Sequence, residues 1–225
     1  VGEIWSAWQA REFAKVHRLS LALAGGRGGA GKRCFTRVPG CLPSEEEWLQ
    51  VWSGRGRDGG MEAVATCWEE RVNVPPQEII EFPVVLVSLS TGSVVSEFHQ
   101  YCQPVEQPRL SPFCRQLTGI SQDTVDDGIP LATCLVLFRQ WLDSVIREHG
   151  LVFMGSSQDT GLDTEKANLV TSVTWSDWDL SMCLESECRR KQIRKPDCFN
   201  SWIDIRAVYR SFYNRRPHGL NNAMR

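Results

Sequence analysis

The chain has 225 residues, enough for one main domain with a flanking segment, and its net charge is −2. Its nine cysteines are odd in number and contain no C-x-x-C pair, which argues against a disulfide framework or a zinc ribbon and favours a reducing, intracellular setting in the cytoplasm or nucleus. There is no apolar run of about 18 residues and no leader pattern after Val1, so we expect a soluble, incompletely translated protein without membrane contact.

Residues 1–64 are predicted to form a flexible Gly/Arg-rich segment of unrelated origin, because no helical or strand period persists in them. Within this segment, residues 26–33 match the phosphate-binding spacing G-x-x-x-x-G-K. Arg33, however, stands where a Ser or Thr hydroxyl would hold magnesium. We therefore favour a flexible segment over a nucleotide site.

From about Glu78 the sequence has the pattern of a folded domain, which begins with two predicted strands. The run 78–89 is rich in β-branched residues and ends in the turn signal STGS, after which residues 94–104 alternate as a second strand. The two runs predict a hairpin. Pro83 inside the first run cannot donate a ladder hydrogen bond, which predicts an edge position or a bulge.

Helices and strands then alternate along the chain, which predicts an α/β domain. Apolar residues at three-and-four spacing indicate one long helix, and serines precede two short helical turns that they can cap. The predicted elements, in chain order, are turns 111–117 and 121–127, helix 130–148, strands 151–155 and 169–175 separated by an inserted loop, a helix after Trp175, and a helix over 203–213.

A basic cluster spans residues 189–216, where nine Lys and Arg stand against Asp197 and Asp204. Such a cluster is typical either of contact with a phosphate backbone or of an ordinary solvated helix face. The sequence leaves both interpretations open.

Four phrases, QEIIEFPVVLV, LSPFCRQLTGISQDTVD, TWSDWDL and NSWIDIRAVYRSFY, resemble the Eri-type 3′-to-5′ exoribonucleases, a DEDDh branch of the DnaQ-like superfamily. The resemblance covers residues 65–225, which we expect to be a partial exonuclease domain, truncated at both ends. It implies an RNase H-like α/β fold with a mixed central sheet flanked by helices. It also implies that single-stranded RNA 3′ ends are the substrate and that two Mg²⁺ or Mn²⁺ ions, held by four acids, act in hydrolysis of the terminal phosphodiester.

The family's first motif, D-F-E-[AS]-T-C-W, falls on residues 62–68, and only its second half matches. The resemblance makes Glu62 a metal ligand in place of the first Asp, whereas Val64, in the position of the Glu, has no oxygen to offer. The stretch SGRGRDGG precedes the motif where a buried strand needs apolar residues. We therefore expect the first strand of the sheet to be missing or malformed.

The second motif is intact in TWSDWDL. The resemblance makes Asp179 the catalytic metal ligand and puts Trp178 beside the substrate, and Asp177 is the neighbour that is easily confused with Asp179. A simple helix cap is the alternative role for Asp179, because a helix start also favours a carboxylate.

The segment Pro217–Leu220 superficially matches the family's histidine motif, in which an Asp follows five residues after the histidine. Here Ala223 stands five residues after His218, so we interpret His218 as an exposed loop residue. The catalytic histidine and the last Asp are expected beyond Arg225.

The resemblance also puts Thr66, Trp68, Leu117 and Thr118 near the terminal nucleotide, where aromatic rings stack on bases. Core packing is the alternative for the aromatic side chains, and Glu81 is expected to be structural or to support the site from outside it. With one good metal ligand and one doubtful one, we expect this chain to be an inactive member of the exoribonuclease lineage. The alternative is a non-catalytic splice product that binds nucleic acid or protein.

Overall fold

The computed structural model of the chain describes residues 47–52, 64–69, 75–88, 90–153 and 168–216. In these ranges seven strands form one sheet with both parallel and antiparallel pairs, and helices pack on it, which confirms the predicted α/β class with a mixed central sheet. The strands are β1 (Glu47–Trp52), β2 (Val64–Ala65), β3 (Ile79–Ser88), β4 (Ser93–Tyr101), β5 (Leu151–Phe153), β6 (Asn168–Thr174) and β7 (Trp202–Asp204).

Strand β3 is the centre of the antiparallel part of the sheet. Strand β4 pairs along one of its sides, with Glu81 opposite Tyr101, and this confirms the predicted hairpin. On its other side β3 pairs with β2 at its beginning and with β1 over its second half. Strand β1 also runs parallel to β6, which in turn is parallel to β5 and β7.

Two short strands, β1 and β2, stand where the first strand of the sheet is expected, so this strand is not missing, and that it is malformed stays a prediction. Strands β1 and β2 share one side of β3, and residues 53–63 between them lie outside the described residues. The Trp and Val residues of EWLQVW suit a strand, and its ladder partners come from β3 and β6. Strand β1 therefore joins the sheet although it precedes the predicted boundary at residue 64. That boundary stays a prediction, and residues 26–33 lie outside the described part.

Pro83 is neither on an edge strand nor at a described register shift of β3. One shift falls between Leu86 and Val87 in the pairing with β4, and the other between Glu81 and Ile79 in the pairing with β2. It pairs with His99 of β4 on one side. On the other side, the described partners of β3 stop at Glu81 for β2 and resume at Val84 for β1. Pro83 lies in this gap. Because proline has no N–H group to donate, its position opposite the gap costs the sheet no described hydrogen bond.

The helices follow the predicted order. They are α1 (Pro112–Thr118), α2 (Gln122–Asp126), α3 (Leu131–His149), a π-helical segment (Trp178–Leu184) that continues directly into α4 (Glu185–Arg190), a 3₁₀ turn (Asp197–Phe199) and α5 (Ile205–Tyr213). Both predicted serine caps are present, because Ser111 Oγ accepts from the amide of Cys114 and Ser121 Oγ accepts from that of Thr124.

The main hydrophobic core lies where α3, the π-helical segment and α4 pack on the sheet. Phe82 of β3 contacts Phe98, Phe138 and Phe199, and the rings of Phe138 and Phe199 stack with centroids 5.1 Å apart. A second cluster joins the start of the sheet to α1 and α2 through Val64, Ile80, Leu110, Cys114, Ile120 and Val125. Among the described residues, none of the helices has the length and apolar composition that a membrane crossing requires.

Candidate active site

The second half of the first motif follows β2 and continues its backbone hydrogen bonding toward the residues at the beginning of β3. Thr66 is buried, its amide donates to the Glu78 carbonyl (2.8 Å), and its Oγ1 accepts from the Glu78 amide (3.0 Å). Its carbonyl accepts from Gln77 Nε2 (3.0 Å). The Thr66 hydroxyl oxygen thus fixes the path of the chain at the beginning of β3, while Trp68, two residues on, is partly exposed.

Helix α1 is attached to this motif by its N-terminal serine. Ser111 Oγ donates to the Cys67 carbonyl (2.6 Å) while it accepts from the Cys114 amide (2.9 Å). Helix α1 ends at Leu117 and Thr118, both partly exposed, before Gly119 takes a left-handed conformation at φ 74°. The structure therefore brings the segment of Thr66 and Trp68 against the helix that carries Leu117 and Thr118. All four are residues that the resemblance implies for the nucleotide.

The hydroxyl of Thr118 is also used within the protein. Its Oγ1 donates to the Cys114 carbonyl (2.8 Å) and accepts from the Ile120 amide (3.1 Å), which closes the end of α1. The hydroxyl groups of Thr66 and Thr118 are therefore both engaged in hydrogen bonds to the backbone. Trp68 and Leu117 have the accessible apolar groups that a base can contact.

Val64 occupies the position of the motif's second acid, and it is hydrophobic core. Its side chain is 4% exposed and packs in the second cluster with Ile80 and Cys114. Glu81, the residue opposite it on β3, has its carboxylate Oε1 2.7 Å from His99 Nε2. Glu81 thus forms a hydrogen bond to the neighbouring strand β4, which fits the structural role expected for it.

Asp179 lies in the first turn of the π-helical segment, immediately after β6 and a short turn, and only 2% of it is exposed. Short π-helical stretches recur at functional sites. The capping position belongs to Asp177, whose carbonyl accepts from the Ser181 amide (2.9 Å) and whose Oδ1 accepts from Trp202 Nε1 (3.1 Å). Asp179 thus lies two residues after the N-cap position, in the first turn, and both of its possible roles stay predictions. Trp178 packs partly buried against the main core.

A third aspartate, Asp204, lies near Asp177 at the end of β7. Its Oδ1 caps α5 by accepting from the Ala207 amide (2.9 Å). Burial raises the pKa of the Asp204 carboxyl, and the negative charge of Asp177 adds to the increase. The Asp204 carboxylate thus caps α5, whereas the Asp177 carboxylate accepts from Trp202 and makes no capping hydrogen bond.

The helix that begins with Asp179 is fixed at its far end by a buried ionic cluster that the sequence did not reveal. Lys191 Nζ donates to Glu78 (2.7 Å) and to Glu187 (2.6 Å), two fully buried carboxylates. Glu187 also accepts from the Ile79 amide (2.6 Å). We name Glu78, Glu187 and Lys191 the buried triad. The only local signal for it is the four-residue spacing of Glu187 and Lys191.

Comparison with known proteins places this arrangement in a family. The family model described as Exonuclease matches residues 70–160. ERI1 exoribonuclease 2 of Xenopus laevis is 52% identical over 160 residues, which are 71% of this chain and 23% of that protein. The 3′-5′ exonuclease Snipper of Drosophila melanogaster is 48% identical over 167 residues, covering 71% of this chain and 56% of that protein. The chain belongs to the Eri-type 3′-to-5′ exonuclease family.

Solved structures of the family share its fold. The nuclease domain of 3′hExo, described as a DEDDh family member bound to rAMP, superposes with a TM-score of 0.59 at 28% identity, over 79% of this chain and 75% of that one. A 3′-exonuclease whose structure shows 3′-end specific recognition of a histone mRNA stem-loop superposes with a TM-score of 0.57 at 27% identity. The superposition covers 78% of this chain and 51% of that one. The RNase H-like exonuclease fold expected from the sequence is confirmed. The chain spans about a quarter of the length of ERI1 exoribonuclease 2, 23% in the Xenopus protein.

Divalent metal ions act in DEDDh exonucleases generally, so we tested whether the residues of this family member fit them. Among the described residues, no three His, Cys, Asp or Glu side chains converge on a point where a metal could sit. Asp179 is the motif acid that lies in this part of the chain, and Val64 replaces another. Glu62 and His218 lie outside the described residues. The described residues by themselves do not fit a pair of divalent ions, which need several oxygen ligands.

Three of the nine basic residues of the cluster at 189–216 make their described contacts inside the protein. Lys191 is in the buried triad, and Arg190 Nε donates to Glu106 (2.8 Å) while its Nη2 donates to the Gln77 carbonyl (3.0 Å). Lys195 Nζ donates to the Leu180 carbonyl (3.0 Å). Arg190, Lys191 and Lys195 are thus committed to contacts within the protein. The other six basic residues of the cluster are exposed, and for them contact with a phosphate backbone and a solvated helix face both stay predictions.

Proposed function

We propose that this chain binds the 3′ end of single-stranded RNA in a pocket between the first motif and α1, and that the chain by itself does not hydrolyse the terminal phosphodiester. Its relatives support the class of ligand: two are named as exonucleases, one solved neighbour holds rAMP, and another is described in recognition of an RNA 3′ end. An intracellular site, in the cytoplasm or nucleus, belongs to the same proposal, and the free thiols of the described cysteines support it.

The proposal that the chain binds an RNA 3′ end rests on the hydrogen bond from Ser111 Oγ to the Cys67 carbonyl. It connects the motif segment at Cys67, directly before Trp68, to the N-terminal end of α1, the helix that carries Leu117 near its other end. Trp68 is partly exposed, and the face of such a ring accepts a base of any identity. A terminal nucleotide stacked on Trp68 would lie against the end of α1.

The proposal that the chain by itself does not hydrolyse RNA rests on the burial of Val64 in the second core cluster. Hydrolysis at a two-metal site depends on carboxylates that hold both ions against the charge that develops in the transition state. A valine at one of these positions removes a ligand, and its side chain packs in an apolar cluster. Loss of one charge-stabilising group costs about a hundredfold in rate. We therefore expect binding without measurable trimming.

The test uses the full chain and a 5′-labelled single-stranded RNA with a 3′-hydroxyl, in Mg²⁺ and in Mn²⁺. We expect saturable binding by fluorescence anisotropy, weaker binding of the same RNA with a 3′-phosphate, and no shortening on a denaturing gel. Trp68→Ala should weaken binding roughly tenfold, because stacking on one ring contributes about 1–3 kcal/mol. Phe212→Ala, at an exposed aromatic residue on α5, is the matched control and should leave binding unchanged.

The two halves of the proposal fail separately. Equal affinity for the 3′-hydroxyl and 3′-phosphate RNAs, or equal effects of the Trp68 and Phe212 substitutions, would overturn the binding pocket. Metal-dependent shortening that disappears in Asp179→Ala would show that Asp179 works with other acids in this chain, and would overturn the proposed inactivity.

A further inference from the structure

Two pairs of cysteines lie in thiol-to-thiol hydrogen-bond contact within the described residues. Cys67 contacts Cys114, and Cys102 contacts Cys134. All four are free thiols. The two pairs differ in accessibility, because Cys67 is partly exposed whereas Cys102 and Cys134 are completely buried.

The backbone holds Cys67 and Cys114 close together. Ser111 Oγ donates to the Cys67 carbonyl (2.6 Å) and accepts from the Cys114 amide (2.9 Å), so a single side chain bridges the two cysteine backbones. Cys114 Sγ lies 3.8 Å from the Ala65 carbonyl oxygen, which directs the thiol toward the first-motif segment. The two residues are 47 positions apart in sequence, and only the docking of α1 brings them together.

The two pairs also differ in acidity. The hydrogen bond from the Cys67 thiol lowers the pKa of Cys114 to about 7, outweighing the effect of burial. In the other pair, the hydrogen bond with Cys134 raises the pKa of Cys102, and burial raises it further. A thiolate is therefore available near neutral pH at Cys114 and disfavoured at Cys102, and the thiolate is the nucleophile in thiol oxidation.

We propose that Cys67 and Cys114 are a redox-sensitive pair that forms a reversible disulfide when a peroxide reaches Cys67. Cys67 is the more accessible of the two sulfurs, and it reacts with the peroxide after it gives up its proton. Its sulfur attacks a peroxide oxygen, an S–O bond forms, the O–O bond breaks, and the released hydroxide takes up a proton to leave as water. Cys114 sulfur then attacks Cys67 sulfur, the S–S bond forms, the S–O bond breaks, and a second water leaves. Two thiols lose two electrons and hydrogen peroxide gains them, and a dithiol reductant reverses the change.

The disulfide would act on the proposed RNA pocket. A bonded sulfur pair is about 2.05 Å apart, closer than any hydrogen-bonded contact, so its formation draws the chain at Cys67 toward α1. Trp68 follows Cys67 directly, and Leu117 lies three residues after Cys114 on α1. This consequence rests on the proposed function, whereas formation of the disulfide does not.

The experiment treats the full chain with hydrogen peroxide, blocks remaining thiols with iodoacetamide, and digests it with trypsin without reduction. We expect a linked pair of peptides, DGGMEAVATCWEER with LSPFCR, that dithiothreitol separates. The peptides of Cys102 and Cys134 are the internal control, since that pair is also in contact but buried, and they should stay unlinked. The rate of linkage should rise through about pH 7, as the acidity of Cys114 requires.

Each outcome decides the inference. No link, oxidation of Cys67 to sulfinic acid alone, a link from Cys67 to Cys34 or Cys41, or equal linkage of Cys102 to Cys134 would overturn the pair. Cys67→Ser and Cys114→Ser should each abolish the link. If the reduced chain binds RNA, the oxidised chain should bind about fivefold more weakly until dithiothreitol is added. Unchanged affinity would overturn the effect on the pocket, whereas failure of the reduced chain to bind RNA would overturn the proposed function alone.

Discussion

Lys191 Nζ lies 2.6 Å from Oε1 of Glu187, one helical turn before it, although the Glu187 side chain is only 1% exposed. The same ammonium reaches Glu78, 113 residues away, and the carboxylate of Glu78 accepts from the amides of Val105, Glu106 and Gln107. A buried charge persists only when it is paired and hydrogen-bonded. Because every member of the triad meets that condition, the helix that begins with Asp179 is fixed to the start of β3.

Removal of the shared cation should strongly destabilise the fold. Lys191→Met leaves two buried carboxylates without their ion pair, so we expect the free energy of unfolding to fall by about 3–5 kcal/mol. Arg189→Met is the matched control, since Arg189 is 81% exposed and pairs with Glu185 on the surface, and it should change the free energy by less than about 1 kcal/mol. Urea unfolding followed by tryptophan fluorescence measures both. Similar losses in the two variants would contradict the central role of Lys191.

The two carboxylates of the triad should respond to pH in opposite directions. Burial raises the pKa of Glu187 above its ordinary value of 4.5. Burial also opposes ionisation of Glu78, but hydrogen bonds from Lys191 and three backbone amides outweigh it and lower the pKa below 4.5. Ionised Glu78 therefore adds stability that is present above pH 4.5 and is lost as the pH falls through its folded pKa. The contribution of Glu187 is present below pH 4.5 and is lost as the pH rises through its folded pKa.

Glu78→Gln and Glu187→Gln remove one titration each with little change in shape. The stability advantage of the native chain over Glu78→Gln should shrink as the pH falls below 4.5. Its advantage over Glu187→Gln should shrink as the pH rises above 4.5. Urea unfolding of the three proteins across this pH range tests the signs, and slopes of the same sign for both differences would contradict the assignment.

Ser111 should matter more than an ordinary helix cap. Ser111→Ala removes the cap of α1 together with the bond to the Cys67 carbonyl, so we expect a loss of about 2 kcal/mol, the sum of a cap and one hydrogen bond. Ser121→Ala removes the exposed cap of α2 without such a second element and should cost about 1 kcal/mol. Thermal unfolding of the two variants side by side provides the comparison. Equal losses would show that the bond to Cys67 adds nothing.

An acid at position 64 should not fit the fold as it stands. Val64→Glu places a carboxyl in the apolar cluster around Ile80 and Cys114, and we expect a loss of about 2 kcal/mol or more. Val95→Glu is the control on β4, where Val95 is 39% exposed, and it should stay within about 0.5 kcal/mol of the native chain. Unfolding in the presence and absence of Mg²⁺ measures both. A Val64→Glu protein that Mg²⁺ stabilises would mean that this position faces the metal site after all.

Much of the fold was predictable where the signal is local. The hairpin of β3 and β4 follows from β-branched runs around STGS, and α3 follows from apolar residues at helical spacing. Ser111 and Ser121 mark the starts of α1 and α2 because a serine satisfies amides only three residues ahead. Membership of the exonuclease family was predictable for the same reason, since its motifs are short and contiguous.

The sequence by itself determined the α/β class, the family and the identity of Asp179 as the intact motif acid. Only the tertiary structure decided that EWLQVW completes the sheet, that Pro83 lies in the gap between β1 and β2, and that Lys191 belongs to Glu78 rather than to solvent. It also decided that Cys67 meets Cys114. Each of these depends on residues far apart in the chain, whose contact is set by how strands and helices pack, and no periodicity, cap or turn signal reports such a contact.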